Sequence, residues 1–349
     1  REGMRLFHGE LVLRNANIIT MNPEQPRAEA LVIQEGWITA IGSWDEVAPV
    51  AKGLAQLDLA RRTVLPGFVD THAHFLWTAL SLAALDASGA EDHGALQEIV
   101  RRAVADAAPG ELIFGMGYTE YALDTEMHGP IIDALDAVAP VNPVYLTGVT
   151  GHSSAVNSLG LQSLDLAQDT PGVMTAPDGG PNGLLADEAN GRAMDHFGAL
   201  FGADEKAEEF IAGAIAKAHS VGITTLHALE GGSISENSAV ERFLASMPDL
   251  PLRFVLYYQI LDEDRVLGLG LPRIGGCILL DGDVEPHTAA LSEPYVDQPD
   301  SCGTLYYGQE EIDAFVLKPH RAGLQVAMHA VGDAAVEQAL DAYEAALID

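Results

Sequence analysis

Two histidines separated by one residue are the first feature of this 349-residue chain with an evident chemistry. His72 and His74 lie near the end of residues 64–75, whose apolar beginning predicts a buried β-strand. Residues i and i+2 of a strand point to the same face, so we expect both imidazoles on one side of it. Imidazole nitrogens are common ligands of divalent metals. The pair therefore predicts part of a metal site; two unrelated polar residues in a loop are the alternative.

The composition restricts the classes of function. The chain carries 18 basic and 51 acidic residues, a formal net charge of −33 at pH 7. A surface this acidic repels nucleic acid and anionic membranes, so neither is an expected partner. No apolar run reaches the roughly 18 residues that a membrane helix needs, and the first residues lack the pattern of a signal peptide. Two cysteines do not make a disulfide framework, and we expect a reducing, cytoplasmic location.

The elements around the histidines predict two kinds of domain. Residues 5–62 contain short strands without helices, including a hairpin over residues 30–41, and predict a small β-domain. From residue 222 onward strands and amphipathic helices alternate, which predicts parallel strands and most simply a (β/α) barrel. In that fold the chemistry lies at the carboxyl ends of the strands. Four candidate side chains fall at or near such ends: His74, His227, Asp281 and His329.

Three local predictions complete this outline. Residues 11–20 are predicted to form one strand. Residues 151–157 are predicted to form a polar loop after the strand of residues 143–147. His227 is placed at the end of a strand that begins at residue 222, and Glu230 follows three residues later.

Six segments in this order resemble the amidohydrolase superfamily, and within it the YtcJ-like metal-dependent hydrolases. The resemblance covers nearly the whole chain. The segments are residues 65–74 (LPGFVDTHAH), 151–158 (GHSSAVNS), 181–185 (PNGLL), 222–225 (GITT), 281–295 (with DG and TAALSEPY) and 329–333 (HAVGD).

The resemblance implies an α/β fold, a (β/α)8 TIM-like barrel with a small flanking β-sandwich. Residues 1–62 would form the N-terminal part of the sandwich, and residues 63–349 the first five barrel strands with a large insertion at about 76–205. The implied cofactor is one or two divalent metal ions, usually zinc. The implied substrates are small molecules, and homo-oligomers are common among such proteins.

The family motifs also imply roles for individual residues. His72 and His74 match the ligand pair of the first strand, and His329 matches the ligand at the end of the fifth. Cys277 stands where many relatives carry a carboxylated lysine that bridges two metals. A thiolate is a good zinc ligand, so Cys277 either replaces the bridge or is a small buried hydrophobic residue.

Other polar residues near the strand ends have less direct roles. We expect His152 and His287 to contact substrate, although a hydrogen bond that stabilises the loop is the alternative for His152. Asp281 is expected to orient a metal ligand without binding the metal itself. Asp333 is expected to fix its loop or to cap the closing helix rather than to bind metal.

Three functions agree with these residues. The main hypothesis is hydrolysis of an amide, formamide or related C–N bond by metal-activated hydroxide. No catalytic residue can be assigned to it, because the family's general-base aspartate is expected beyond residue 349. The alternatives are a catalytically incomplete protein that binds a small molecule or a partner, and a metal-dependent lyase or isomerase on the same fold.

Overall fold

The computed structural model shows a mixed α/β protein. Its parts divide into two compact units, one of Arg1–Thr71, Lys217–Leu226 and Met247–Phe254, the other of His72–Ala216, His227–Ser246 and Val255–Asp349. The predicted domain boundary after residue 62 stays a prediction. The structure describes residues 9–119, 130–149, 151, 153–166, 170–203, 207–232, 237–282, 284 and 287–348.

The first unit begins with two small sheets. Its elements are β1 (Leu11–Arg14), β2 (Asn17–Ile19), β3 (Arg27–Ala28), β4 (Ala30–Gln34), β5 (Trp37–Gly42), α1 (Trp44–Val47), β6 (Ala55–Asp58) and β7 (Thr63–Val64). One sheet has the strand order β5-β4-β1-β6 and the other β3-β2-β7. The predicted hairpin is confirmed, because β4 and β5 pair antiparallel around Glu35 and Gly36. Both of these residues have positive φ, as a two-residue hairpin turn requires.

The prediction of a single strand over residues 11–20 is wrong. The chain changes direction at Asn15, whose φ of 52° lies in the left-handed region that asparagine tolerates better than most residues. As a result β1 joins the four-stranded sheet and β2 the three-stranded sheet.

The next elements include a six-stranded mixed sheet, which is formed by the stretch that was predicted as an insertion. They are β8 (Phe68–Ala73), α2 (Phe75–Ala83), β9 (Leu85–Asp86), α3 (His93–Asp106), β10 (Ile113–Tyr118), α4 (Ile131–Val138), β11 (Val144–Gly148), β12 (Ser153–Val156), α5 (Ser158–Ser163), β13 (Val173–Thr175), β14 (Pro181–Ala186) and α6 (Asp187–Ala203). The strand order is β13-β14-β12-β11-β10-β9. The predicted loop over residues 151–157 is wrong for β12, which pairs with β11 and β14. Two neighbouring strands satisfy its backbone, so its polar start does not prevent a strand.

The remaining elements alternate as predicted. They are α7 (Ala207–Ser220), β15 (Ile223–Glu230), α8 (Asn237–Ser246), a 3₁₀ turn (Met247–Asp249), β16 (Arg253–Tyr258), α9 (Glu263–Gly268), β17 (Arg273–Leu279), α10 (Gln309–Arg321), β18 (Gln325–His329) and α11 (Asp333–Ile348). With β8 these strands form a five-stranded sheet in the order β18-β17-β16-β15-β8. β17 pairs parallel with both β16 and β18, which confirms the predicted parallel arrangement. Closure into a barrel stays a prediction.

The prediction that β8 is buried is wrong. Phe68 and Val69 are 55% and 52% exposed. β8 lies at an edge of the five-stranded sheet, so among the described residues only one side of it is covered by a neighbouring strand. The carboxyl end of β8 is the part that carries the candidate ligands.

The described helices do not include a candidate membrane span. None of these helices combines the length and the apolar character that crossing a membrane would require.

Asn157 connects four backbone groups in the core beside the six-stranded sheet. Its Oδ1 accepts hydrogen bonds from the amides of Val144 (2.9 Å) and Gly160 (2.8 Å). Its Nδ2 donates to the carbonyls of Ala139 (3.1 Å) and Asn142 (2.9 Å). The side chain is fully buried, so water cannot replace these bonds.

We predict that Asn157→Ala lowers the free energy of unfolding by roughly 3 kcal/mol, because it leaves buried donors and acceptors without partners. Urea denaturation followed by circular dichroism measures this change. The control is Asp178→Ala, which removes one exposed bond to the amide of Gly180 (3.0 Å) and should cost under about 1 kcal/mol. Similar losses in the two variants would contradict the role given to Asn157.

Candidate metal site

Polar side chains collect at the carboxyl ends of the parallel strands. β8 ends one residue before His74, β15 ends at Glu230, and β18 ends at His329. Asp281 follows β17 by two residues. All four belong to the second unit. Three of the four side chains predicted at strand ends, His74, Asp281 and His329, therefore lie there, and Glu230 takes the place predicted for His227.

Three potential metal ligands lie together at this edge. One donor atom each of His72, His74 and Cys277 lies within 4.8 Å of the other two. The two imidazole rings meet edge to face, with centroids 5.5 Å apart. Ligand atoms around a tetrahedral zinc ion lie roughly 3.3 to 3.8 Å apart. Small side-chain movements would therefore bring the three donors onto one ion.

His74 is oriented by the neighbouring strand. Its Nδ1 lies 2.7 Å from the carbonyl oxygen of Leu229. A carbonyl only accepts, so Nδ1 carries the proton and Nε2 keeps its lone pair for a metal. Burial, together with the nearby His72 and His329, lowers the pKa of His74, while the bond to Leu229 raises it. The net lowering favours the neutral ring that metal binding requires.

Cys277 lies between the histidines and a small apolar cluster. Its side chain packs with Leu229 and Tyr257 and is 5% exposed. Burial raises the pKa of its thiol, so the free protein holds it protonated. A coordinated metal removes such a proton outright. Both roles predicted for Cys277, metal ligand and buried hydrophobic residue, are compatible with these contacts.

His329 lies beside the group of His72, His74 and Cys277 and contacts Cys277. Its Nδ1 lies 3.7 Å from Cys277 Sγ, and its Nε2 lies 3.4 Å from the carbonyl oxygen of Gly282. The three-residue group does not include His329. With it, three nitrogens and one sulfur are available, a donor set that suits zinc.

Asp281 acts on the backbone beside the site. Its buried carboxylate accepts hydrogen bonds from the amides of Ala290 (2.8 Å), Val331 (2.9 Å) and Gly332 (2.7 Å). Val331 and Gly332 are the second and third residues after His329. Asp281 thus holds the chain that leaves this histidine, and the metal-ligand orientation expected of it remains a prediction.

The two histidines predicted to bind substrate have different outcomes. His287 lies 2.9 Å from Asp297 through Nε2, and its ring meets that of Tyr295 with centroids 4.7 Å apart. These contacts fix its loop, and substrate binding by His287 stays a prediction. His152 lies outside the described residues.

Asp333 fixes its loop, as predicted. Its carboxylate accepts hydrogen bonds from the amide of Ser292 at 2.9 Å and from the hydroxyl of the same residue. These bonds hold the pKa of Asp333 below its usual range.

Glu230 is a residue that the sequence reasoning did not assign to the site. His227 was placed at the strand end, but β15 continues to Glu230. His227 instead lies within the strand with its ring 6.0 Å from that of Tyr257. The available signal for Glu230 was an acidic residue at the end of an apolar strand, where burial of a carboxyl group needs a specific reason.

Comparisons with known proteins agree with this architecture. A model of the amidohydrolase family matches residues 56–349. The putative amidohydrolase YtcJ of Bacillus subtilis is 27% identical over 347 residues, 94% of this chain and 64% of the relative. An N-substituted formamide deformylase of Arthrobacter pascens is 25% identical over 367 residues, 96% of this chain and 66% of the relative. The chain thus spans about two thirds of the length of these relatives.

A solved structure supports the fold. The crystal structure of an uncharacterized metal-dependent hydrolase from Pyrococcus furiosus aligns with a TM-score of 0.76 and 25% sequence identity. The alignment covers 97% of this chain and 70% of that chain.

We predict that Cys277→Ala lowers the affinity for zinc at least about tenfold, because it removes one ligand from the site. A competition titration with a chromophoric chelator measures the affinity. The protein loaded with cobalt should also show a thiolate-to-metal charge-transfer band in the near ultraviolet, which the variant should lose.

The exposed Cys302 provides the control, since Cys302→Ala should keep both the affinity and the band. A cobalt-loaded parent protein without the band, or a Cys277→Ala variant with the parent affinity, would assign Cys277 to packing alone.

Proposed function

Because this chain belongs to the amidohydrolase family, we propose that it is a metal-dependent hydrolase that cleaves a C–N bond of a small molecule. The bond is of the amide, formamide or related type. Water is added across it, so that one product is a carboxylate and the other an amine.

The observation that carries the proposal is the convergence of His72, His74 and Cys277. Their donor atoms lie within 4.8 Å of one another although β8 and β17 are about 200 residues apart in the chain. The convergence occurs at the carboxyl ends of parallel strands, where α/β enzymes place their chemistry. A packing role alone would not require two imidazoles beside a thiol.

In this proposal, some residues of the site would bind the metal and others would orient the metal ligands. His72, His74 and His329 would hold the metal, with Cys277 as the fourth ligand, and water would then take a fifth position on the ion. The ion would supply a water molecule of lowered pKa and would polarise the substrate carbonyl. His74 needs no tautomer change for this task, because Leu229 already holds the proton on Nδ1.

Two observations indicate which metal the site would bind and which substrates should be tested first. Nitrogen and sulfur ligands favour zinc over magnesium, calcium or manganese. The formamide deformylase among the relatives makes N-substituted formamides the first substrates to test, followed by N-acyl amines.

The test is a turnover assay of the purified protein with these two substrate classes. We expect the amine and the carboxylate in equal amounts, loss of turnover after chelation, and recovery when zinc is restored. His72→Ala should lose at least about a hundredfold in turnover, because it removes a metal ligand. His320→Ala on α10 is the control and should keep the parent rate.

Two results would contradict the proposal. A zinc-loaded protein that binds the substrates without turning them over would favour the non-catalytic alternative. Products that contain no added water would favour a lyase or an isomerase on the same fold.

A further inference from the structure

Glu230 is a fully buried carboxylate directly beside the candidate metal site. It is the last residue of β15, and its Oε1 accepts a hydrogen bond from the amide of Leu76 at 3.2 Å. Leu76 is the second residue of α2, the helix that begins immediately after His74. The carboxylate therefore holds the backbone that leaves a predicted ligand.

The first turn of α2 needs an acceptor from outside the helix. The first amides of a helix have no partner within it, and a negative charge there is favourable. The N-cap is His74, whose side chain makes no capping hydrogen bond, and the first turn contains no acidic residue. Glu230 supplies such an acceptor from a different strand.

The residue before Glu230 holds the same histidine. The carbonyl of Leu229 accepts from His74 Nδ1 at 2.7 Å, so consecutive residues of β15 fix the ring and the backbone that follows it. Rotation of the ring and displacement of the helix start are restrained together.

A second histidine of the site has the same kind of support. Asp281 accepts a hydrogen bond from the amide of Val331 at 2.9 Å. Val331 lies two residues after His329, just as Leu76 lies two residues after His74. Both carboxylates are fully buried. Glu230 is the last residue of β15, and Asp281 lies two residues after the end of β17.

We propose that Glu230 is a positioning residue for the metal site, because it fixes the backbone after His74 and so keeps Nε2 of this histidine directed at the ion. The inference rests on the proposed metal-dependent function. Glu230 itself is not in the group of described residues whose donor atoms converge. The backbone amide of Leu76 engages its Oε1, and the role proposed for it is to hold a ligand and not to be one.

Zinc affinity and thermal stability of Glu230 variants test this role. Glu230→Leu removes the acceptor and is expected to lower zinc affinity about 10- to 100-fold, measured by competition with a chromophoric chelator. Glu230→Gln keeps an acceptor oxygen and should restore an affinity close to that of the parent protein. Glu230→Asp draws the carboxylate back by one methylene and should lose affinity even if Glu230→Leu fails to fold.

The matched control is Asp92→Ala. Asp92 also caps a helix, accepting from the amide of Ala95 at 2.8 Å at the start of α3. This variant should lower the melting temperature of the metal-free protein and leave zinc affinity unchanged. The comparison separates loss of a helix cap from loss of ligand positioning.

Each other outcome overturns the inference. If the parent protein binds zinc and Glu230→Leu or Glu230→Asp binds it equally well, Glu230 is only structural and the proposed function survives. If Glu230→Gln loses as much affinity as Glu230→Leu, the hydrogen bond to Leu76 is not the cause. If the parent protein binds no zinc, the proposed function fails and the inference fails with it.

Discussion

The hydrogen bond from His74 to the carbonyl of Leu229 is the interaction on which the candidate site depends. It joins the carboxyl ends of β8 and β15 and determines which ring nitrogen is free. Without it the imidazole could present either nitrogen, and the ring could turn away from Cys277. The bond contributes only about 1 kcal/mol to stability, so its importance lies in the geometry that it selects. Burial acts in the same direction, because it lowers the pKa of His74 and keeps the ring neutral.

Buried carboxylates at the strand ends extend this control to the backbone. A buried charge is costly unless its hydrogen bonds are satisfied, and Asp281 meets that condition with three backbone amides. Glu230 accepts from the start of α2. In each case a carboxylate secures the chain just after a histidine, so both histidines leave their strands in fixed directions. Each carboxylate lies at or just after the end of a strand, so these contacts fix the ligand positions relative to the sheet edge.

The sequence predicted the parts of this arrangement that local patterns encode. The alternation of strands and helices after residue 222 predicted the parallel sheet, and the spacing of His72 and His74 predicted a shared location. The strand break at Asn15 was missed, although Arg14, Asn15 and Asn17 separate the two apolar segments there and asparagine tolerates the left-handed region. The role of Glu230 was missed because it depends on Leu76, which is 154 residues away. Contacts of this kind follow from the register of the sheet, which no single segment specifies.

X-ray absorption at the zinc edge of the metal-loaded protein tests the central claim most directly, since it reports the atoms around the ion. His72, His74, His329 and Cys277 predict one sulfur at about 2.3 Å and nitrogens at about 2.0 Å. The same protein with Cys277→Ala should lose the sulfur contribution and keep the nitrogens. A first shell of oxygen atoms without histidine scattering, or a protein that retains no zinc, would contradict a metal site built from these four residues.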